Sequence, residues 1–338
     1  MGLRIIYIII IFMLLPIQQV LANWTGPVAV VIGSWGGDTG QFGIDQQDSG
    51  DFLPRDFGAD KDGIIVIADK VNNRIQLFKP DGSVYKIINR PVEIKDVLWP
   101  WTLIVLPDGN SFLAELSILD YTGATLNKID IKRTERYATT NSYIIYNMDT
   151  KTYSLYSPTG QLIKTMATRP LELGMVSEKA IAENQYKITI KYPDKIYELL
   201  SDATFMKYVR DPSGNINAVN PGGVWRFNQC GKEIAELLMP QPGTETITVP
   251  NIKLPVAVVA EYGEPIVAPN GDVYTWKKTQ FKYSILKWTW VDDPNVPTGP
   301  DAPSGLTVTP SLNGLYLSWT ASPQDPGCVT GYEVVRAT

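Results

Sequence analysis

Apolar and polar positions alternate along this chain in short runs, and glycine turns separate the runs. Ile64-Ile65-Val66-Ile67, Arg74 to Phe78 and Ser83 to Ile88 each read as a strand. One set of turns is Lys79-Pro80-Asp81-Gly82, Asp120-Tyr121-Thr122-Gly123, Ser157-Pro158-Thr159-Gly160 and Asn228-Gln229-Cys230-Gly231. A second set lies earlier in each unit: Asp62-Gly63, Asp108-Gly109, Ser213-Gly214 and Asn270-Gly271. A tight hairpin demands positive φ, which glycine supplies without steric penalty. Gly82, Gly123 and Gly160 fall roughly 40 residues apart, and Gly231 follows two such periods later. A period of that length holding several short strands predicts a β-propeller. Each sheet buries both faces against its neighbours, so the ring must close. The blades are expected at 54–90, 100–131, 137–167, 178–200, 203–239 and 262–291. The strand Pro27 to Gly33 precedes the first blade, while the last shows only three strands. The N-terminal strand is therefore expected to complete the last blade and remove the open sheet edges.

The run Gly63-Ile64-Ile65-Val66-Ile67-Ala68-Asp69-Lys70-Val71-Asn72-Asn73-Arg74-Ile75-Gln76-Leu77-Phe78, preceded by Phe52-Leu53-Pro54, closely resembles an NHL repeat. The other copies are degenerate; the second has Ala114-Glu115-Leu116 where the Asp–Asn–Arg run belongs. The resemblance implies a six-bladed propeller and says little about activity, because such propellers do many jobs. It also implies that Asp69 orders the Asn72-Asn73 turn and that Arg74 pairs with a neighbouring blade.

The two ends of the chain read differently. Residues 1–22 hold one charge, Arg4, then an apolar run from Ile5 to Leu15, and end in Val20-Leu21-Ala22. That pattern predicts a secretory signal peptide, with no membrane span left after its cleavage. Residues 23–293 then form the propeller, and 294–303, with Pro294, Pro297, Pro300 and Pro303, a stiff linker. Leu306-Thr307-Val308, Leu315 to Trp319 and Gly331 to Arg336 in 304–338 resemble the opening of a fibronectin type III domain. The resemblance makes Trp319 its core tryptophan and puts Tyr332 on the third strand. Such a sandwich needs about seven strands, so a fragment of a longer protein is favoured over completion by a partner. The expected fold is all-β: a six-bladed β-propeller followed by a truncated fibronectin type III-like β-sandwich.

Composition narrows the chemistry. Lys+Arg 30 against Asp+Glu 35 gives a net charge of −5, which argues against nucleic acid as the partner. Histidine is absent (His 0), which removes every triad, zinc site and proton relay built on imidazole. Cys230 and Cys328 fall in different expected domains, which argues against their pairing.

In NHL-like blades the glycine turns share one face of the disc and the longer loops the other. So mapped, the long-loop face carries Trp35, Trp99, Trp101, Arg133, Arg136, Trp276, Lys277 and Lys278, together with loops from Ser34 to Leu53 and Met239 to Tyr262. Exposed tryptophans bring large contact area at low entropic cost, which suits a sugar ring or a protein partner. Trp101 and Trp276 also suit packing between blades, and Arg133 and Arg136 a solvated charge run. Asp45, Asp48 and Asp51 crowd one loop as weak candidates for Ca²⁺, without EF-hand spacing; no other cofactor is expected. The leading expectation is a secreted, extracellular or periplasmic, non-catalytic binding or scaffold protein with a protein or glycan partner, and a bacterial source suits it. The alternative is an enzyme. Six-bladed relatives include calcium-dependent lactonases, and a Ca²⁺-dependent hydrolase or a carboxylate-based glycosidase at the channel needs no histidine.

Overall fold

The computed structural model describes residues 24–47, 50–89, 103–106, 109, 111–114, 117–129, 134–139, 142–211, 213–248, 255–291, 304–311 and 314–321. No helix among them is long and apolar enough to cross a membrane. The chain opens with β1 (Trp24–Ser34) and a small hairpin, β2 (Asp45–Gln47) and β3 (Gly50–Phe52). Blade one is β4 (Phe57–Ala59), β5 (Ile65–Asp69), β6 (Arg74–Phe78) and β7 (Val84–Asn89). Blade two is β8 (Leu103–Val105), β9 (Ser111–Ala114), β10 (Ser117–Asp120) and β11 (Thr125–Lys128). Blade three is β12 (Thr134–Thr139), β13 (Ser142–Asn147), β14 (Thr152–Tyr156) and β15 (Leu162–Met166). Blade four has three strands, β16 (Met175–Ala182), β17 (Gln185–Lys191) and β18 (Ile196–Ser201). Blade five is β19 (Lys207–Arg210), β20 (Ile216–Asn220), β21 (Gly223–Phe227) and β22 (Glu233–Leu238). The last sheet holds β23 (Gly243–Thr248), β24 (Pro255–Tyr262), β25 (Ile266–Val267), β26 (Val273–Lys278), β27 (Lys282–Trp290) and, returning from the N-terminal side, β1.

Apolar side chains join these sheets in cyclic order at five seams, and blade three reaches the segment before blade four through Lys164 Nζ and Glu172 Oε1 at 3.8 Å. Val66 and Leu77 of blade one meet Val105 and Phe112 of blade two. Leu113 and Ile118 then meet Tyr143 and Ile145 of blade three. Ile188 and Leu199 of blade four meet Ile216 and Phe227 of blade five, and Val224 and Ala235 meet Val273 and Trp288 of blade six. Tyr274 and Ile285 of blade six return to Ile67 and Phe78 of blade one. The middle strands of blade one are covered on both faces, which is why β5 and β6 are buried throughout instead of alternating. The result is a six-bladed all-β propeller, as the turn spacing predicts.

The expected clasp is present. β1 lies antiparallel to β27, from Trp24 opposite Trp290 to Ser34 opposite Lys282. Val31 is 1% exposed, and the Trp24 ring meets Trp290 edge-on at 5.0 Å. Burial of a side chain of this size contributes about 1.5–3 kcal/mol. The Gly82 turn closes on this strand: its φ is 81°, and a Cβ there would stand 2.1 Å from Val30 O. Only glycine fits both constraints.

Blade four departs from the repeat. Its β17–β18 turn lies on the glycine-turn face, because Arg210 Nη1 donates to Asp194 Oδ1 at 2.7 Å and Tyr197 OH donates to Gly214 O at 2.9 Å. Its strands thus occupy the second to fourth positions. The segment 167–174, with a 3-10 turn at Leu171–Leu173, stands where a first strand would run. Pro170 lacks the ladder N–H and Gly174 has φ 70°, so this stretch resists strand pairing.

Two expectations are corrected. Most of the loop expected from Met239 to Tyr262 is the hairpin β23–β24, whose register runs from Gly243 opposite Ala260 to Thr248 opposite Pro255. Cys230 is disulfide-bonded and no described cysteine is free, so the domain argument against pairing fails. The hairpin of β28 (Ser304–Ser311) and β29 (Gly314–Thr320) ends the described chain. Trp319 on it is 36% exposed; the expected third strand with Tyr332, and Cys328, lie outside the described residues.

Candidate functional site

The chain leaves β1 at the rim of blade six and must cross to blade one, and the Asp69–Arg74 run fixes that crossing. Asp69 ends β5 fully buried. Its carboxylate accepts from Gly43 N at 2.9 Å, Asn72 Nδ2 at 2.9 Å, Arg74 Nε at 2.9 Å and Gln76 Nε2 at 3.1 Å. Arg74 also donates to Gly37 O at 2.7 Å and to Asp38 O and Gln41 O, each at 2.8 Å. Arg74 therefore pairs within its own hairpin and grips the incoming loop, instead of pairing with a neighbouring blade. Asn73 takes φ 53° in the turn, a conformation asparagine tolerates.

The fixed loop forms one wall of a cleft of about 570 Å³ on the long-loop face, a size typical of small-ligand sites. Trp35 and Ile44 come from the loop, Val259 and Glu261 from β24, and Lys278, Thr279 and Gln280 from the end of β26. Trp35 is locked in place: its Nε1 donates to Thr279 O at 3.1 Å, and its ring meets Tyr283 edge-on at 6.3 Å. β24 continues the inner edge of blade six, with Glu261 opposite Lys278 and Tyr262 opposite Lys277. Alternation along a strand then divides these pairs between two faces. Glu261 Oε1 and Lys278 Nζ pair at 3.1 Å toward the cleft, with the carboxylate 44% and the lysine 11% exposed.

On the opposite face Lys277 pairs with Glu245 and lies 5.6 Å from the Tyr262 ring centre, while Tyr262 OH donates to Glu245 Oε1. Burial pushes the Glu245 carboxyl up, but the Lys277 and Tyr262 donors outweigh it and hold the group below its ordinary value. The Tyr262 hydroxyl is pushed up to about 12 by burial and by the Glu245 carboxylate.

The other described sequence candidates do not gather at the cleft. Trp276 is buried between blades six and one, not presented on the face. Arg136 lies in β12 opposite Ile145; Trp99, Trp101, Arg133 and Asp48 lie outside the described residues. Asp45 is exposed on β2, and Asp51 stands opposite Gln46. No group of three or more His, Cys, Asp or Glu that could hold a metal occurs among the described residues. Trp35 and Lys278 thus come together, with Lys277 behind them. Glu261 and Val259 are not among the sequence candidates; the run Val256-Ala257-Val258-Val259-Ala260 is the signal that Pro255–Tyr262 is a strand.

A second cleft of about 510 Å³ opens between blades four and five and is lined by Glu183, Asp202, Trp225, Glu233 and Glu236 among others. The Glu233 carboxyl is pushed up to about 7, first by burial and then by the like charges of Glu236 and Asp202.

No protein-family model and no curated protein sequence matches the chain. Among solved structures the chain is similar to a virginiamycin B lyase from Staphylococcus aureus, at 13% identity over 77% of this chain and 99% of that one, with a TM-score of 0.39. It is similar to regucalcin, a calcium-binding protein from Agrobacterium tumefaciens, at 12% identity over 72% and 93% of the two chains, with a TM-score of 0.36. A luciferin-regenerating enzyme matches at 11% identity over 72% and 92%, with a TM-score of 0.37. The propeller assignment rests on strand pairing and ring closure and not on these similarities.

Proposed function

We propose that the protein is a secreted, non-catalytic binding protein of NHL-like type that contacts a protein or glycan through the long-loop face of its propeller. The observation that carries this reading is the Trp35 cleft, whose walls are held rigidly by the Asp69–Arg74 network and by β24. Binding residues set on a rigid scaffold lose little entropy when a partner docks. The signal-peptide pattern of residues 1–22 supports export, and so does the bonded state of Cys230, since disulfides persist in oxidising compartments. In this reading the hairpin Ser304–Thr320 begins a fibronectin type III-like spacer. No resident cofactor is required. The test is a binding screen against glycan and secreted-protein panels, repeated with Val259→Arg on the long-loop face and Lys86→Glu on the outer strand β7. Loss with the first variant alone is the expected result; equal binding by both variants contradicts the face assignment.

The second reading, a carboxylate-based or Ca²⁺-dependent hydrolase, draws on the Glu233 cleft. A carboxyl titrating near 7 is suited to general-acid work. Assaying glycosides and lactones with and without Ca²⁺ across the neutral pH range, with Glu233→Gln beside the parent, tests it. A turnover that the variant abolishes would displace the binding reading.

A further inference from the structure

We infer that the Trp35 cleft recognises an uncharged, hydroxyl-rich sugar ring. This rests on the long-loop face being the binding face and names the class of ligand it takes. The cleft has two chemical characters. Trp35, Ile44 and Val259 give it apolar walls, and Val259 is 62% exposed. Glu261, Lys278 and Gln280 give it a polar floor. A pyranose has the matching halves, a C–H face for the apolar wall and a belt of hydroxyls for the floor. Carboxylates accept hydroxyl hydrogen bonds strongly, and the Glu261 carboxylate is 44% exposed.

Charge decides against ionic ligands. Lys278 Nζ stands 3.1 Å from Glu261 Oε1, so these two charges offset each other at the cleft. An anionic sugar or phosphate meets the carboxylate, and a cation meets the ammonium, so neither gains a net Coulomb attraction from this pair. An extended peptide also lacks its usual purchase. Strand addition needs an open backbone edge, whereas Val259 is opposite Thr244 and Glu261 opposite Lys278. At the cleft β24 is thus paired to β23 through Val259 and to β26 through Glu261. Thr279 O receives Trp35 Nε1, and Thr279 N donates to Lys282 O at 2.9 Å.

The experiment uses the full chain against an array of neutral gluco-, manno-, galacto- and xylo-oligosaccharides, their sialylated and sulfated counterparts, and a peptide library. Hits are measured by calorimetry with Val259→Arg, which fills the cleft from an exposed position, with Glu261→Gln, which keeps the shape and removes the charged acceptor, and with Lys86→Glu on β7, away from the cleft. The expected result is binding of a neutral oligosaccharide, weakened at least tenfold by Glu261→Gln and abolished by Val259→Arg. Circular dichroism of both cleft variants should match the parent, and thermal melts should show that each remains folded at the assay temperature. Neutral-sugar binding that survives Val259→Arg overturns the site. Cleft binding confined to charged glycans or peptides overturns the ligand class but leaves the long-loop face as the binding surface. Hits from any panel that respond only to Lys86→Glu overturn the reading of the face itself.

Discussion

Replacing Arg74 with methionine isolates the network that holds the binding loop. The substitution keeps much of the aliphatic stem and removes the guanidinium, and with it the bonds to Asp69 Oδ2 and to the carbonyls of Gly37, Asp38 and Gln41. The pair is well inside the protein, with the two side chains 8% and 0% exposed. Removing one partner of such a pair costs about 3–5 kcal/mol, because the other is left as a buried, undercompensated charge. Gly43 N, Asn72 Nδ2 and Gln76 Nε2 still donate to Asp69, which places the expected loss near the lower end, about 3 kcal/mol. Gly37 and Asp38 are exposed and Gln41 is half-buried, so water can replace part of the bonds lost at their carbonyls. Urea denaturation of the parent, Arg74→Met, Asp69→Asn and the double variant forms a double-mutant cycle. The double variant should cost about 2 kcal/mol less than the sum of the singles, within the range found for directly paired groups. Near-UV circular dichroism should also show Trp35 losing its fixed environment in Arg74→Met. A single-variant loss below about 1 kcal/mol, or strict additivity, would refute the claim that this pair organises the crossing.

Further outcomes are equally specific. The Glu233 carboxyl, raised to about 7 in the fold against 4.5 ordinarily, makes the folded state hold a proton that the unfolded chain releases. Its contribution is full below about pH 4.5 and is lost as pH rises through about 7; solvent screening at this partly exposed group limits the change to about 1 kcal/mol. Glu233→Gln should flatten that decline in a pH series of melting curves, and an unchanged profile would contradict the assignment. Trp276→Ala should cost about 3–5 kcal/mol in urea denaturation, since its ring fills the seam between blades six and one; a surface contact residue would cost far less. Peptide mapping without reductant should find Cys230 linked to Cys328, the one other cysteine in the sequence. Recovery of either as a free thiol would contradict the bonded state.

The sequence disclosed what glycine and apolar periodicity control. Gly63, Gly82, Gly109, Gly123, Gly160, Gly214, Gly231 and Gly271 all take φ between 77° and 93°, so the turns that set the period were legible from the placing of the glycines. The clasp was legible too, because a sheet short of a strand and a strand short of a sheet imply each other. Blade four was harder: its first position is filled by irregular chain around Pro170 and Gly174, which breaks the repeat without leaving a periodic trace. The site was half legible. Trp35 follows directly from the clasp, but Glu261 reaches the cleft only because Pro255–Tyr262 extends the inner edge of blade six, and its Pro- and Thr-rich flanks read as loop. Trp276 shows the reverse problem, since a tryptophan at a strand end fits a core or a rim equally well until the neighbouring blade is placed. The Asp69–Arg74 partnership was misplaced for a related reason: sequence shows which groups carry charge, whereas the loop carbonyls that complete the network are common to every residue.

Hydrogen exchange along β1 tests the closed ring most directly, and with it the placing of Trp35 and the whole binding face. The amides of β1 that bond to β27 between Val28 and Gly33 should exchange only as slowly as those of β26 and β27, because the clasp opens with the ring and not before it. Rapid exchange there, with the β26–β27 pair still protected, would show a detached N-terminal strand and an open disc.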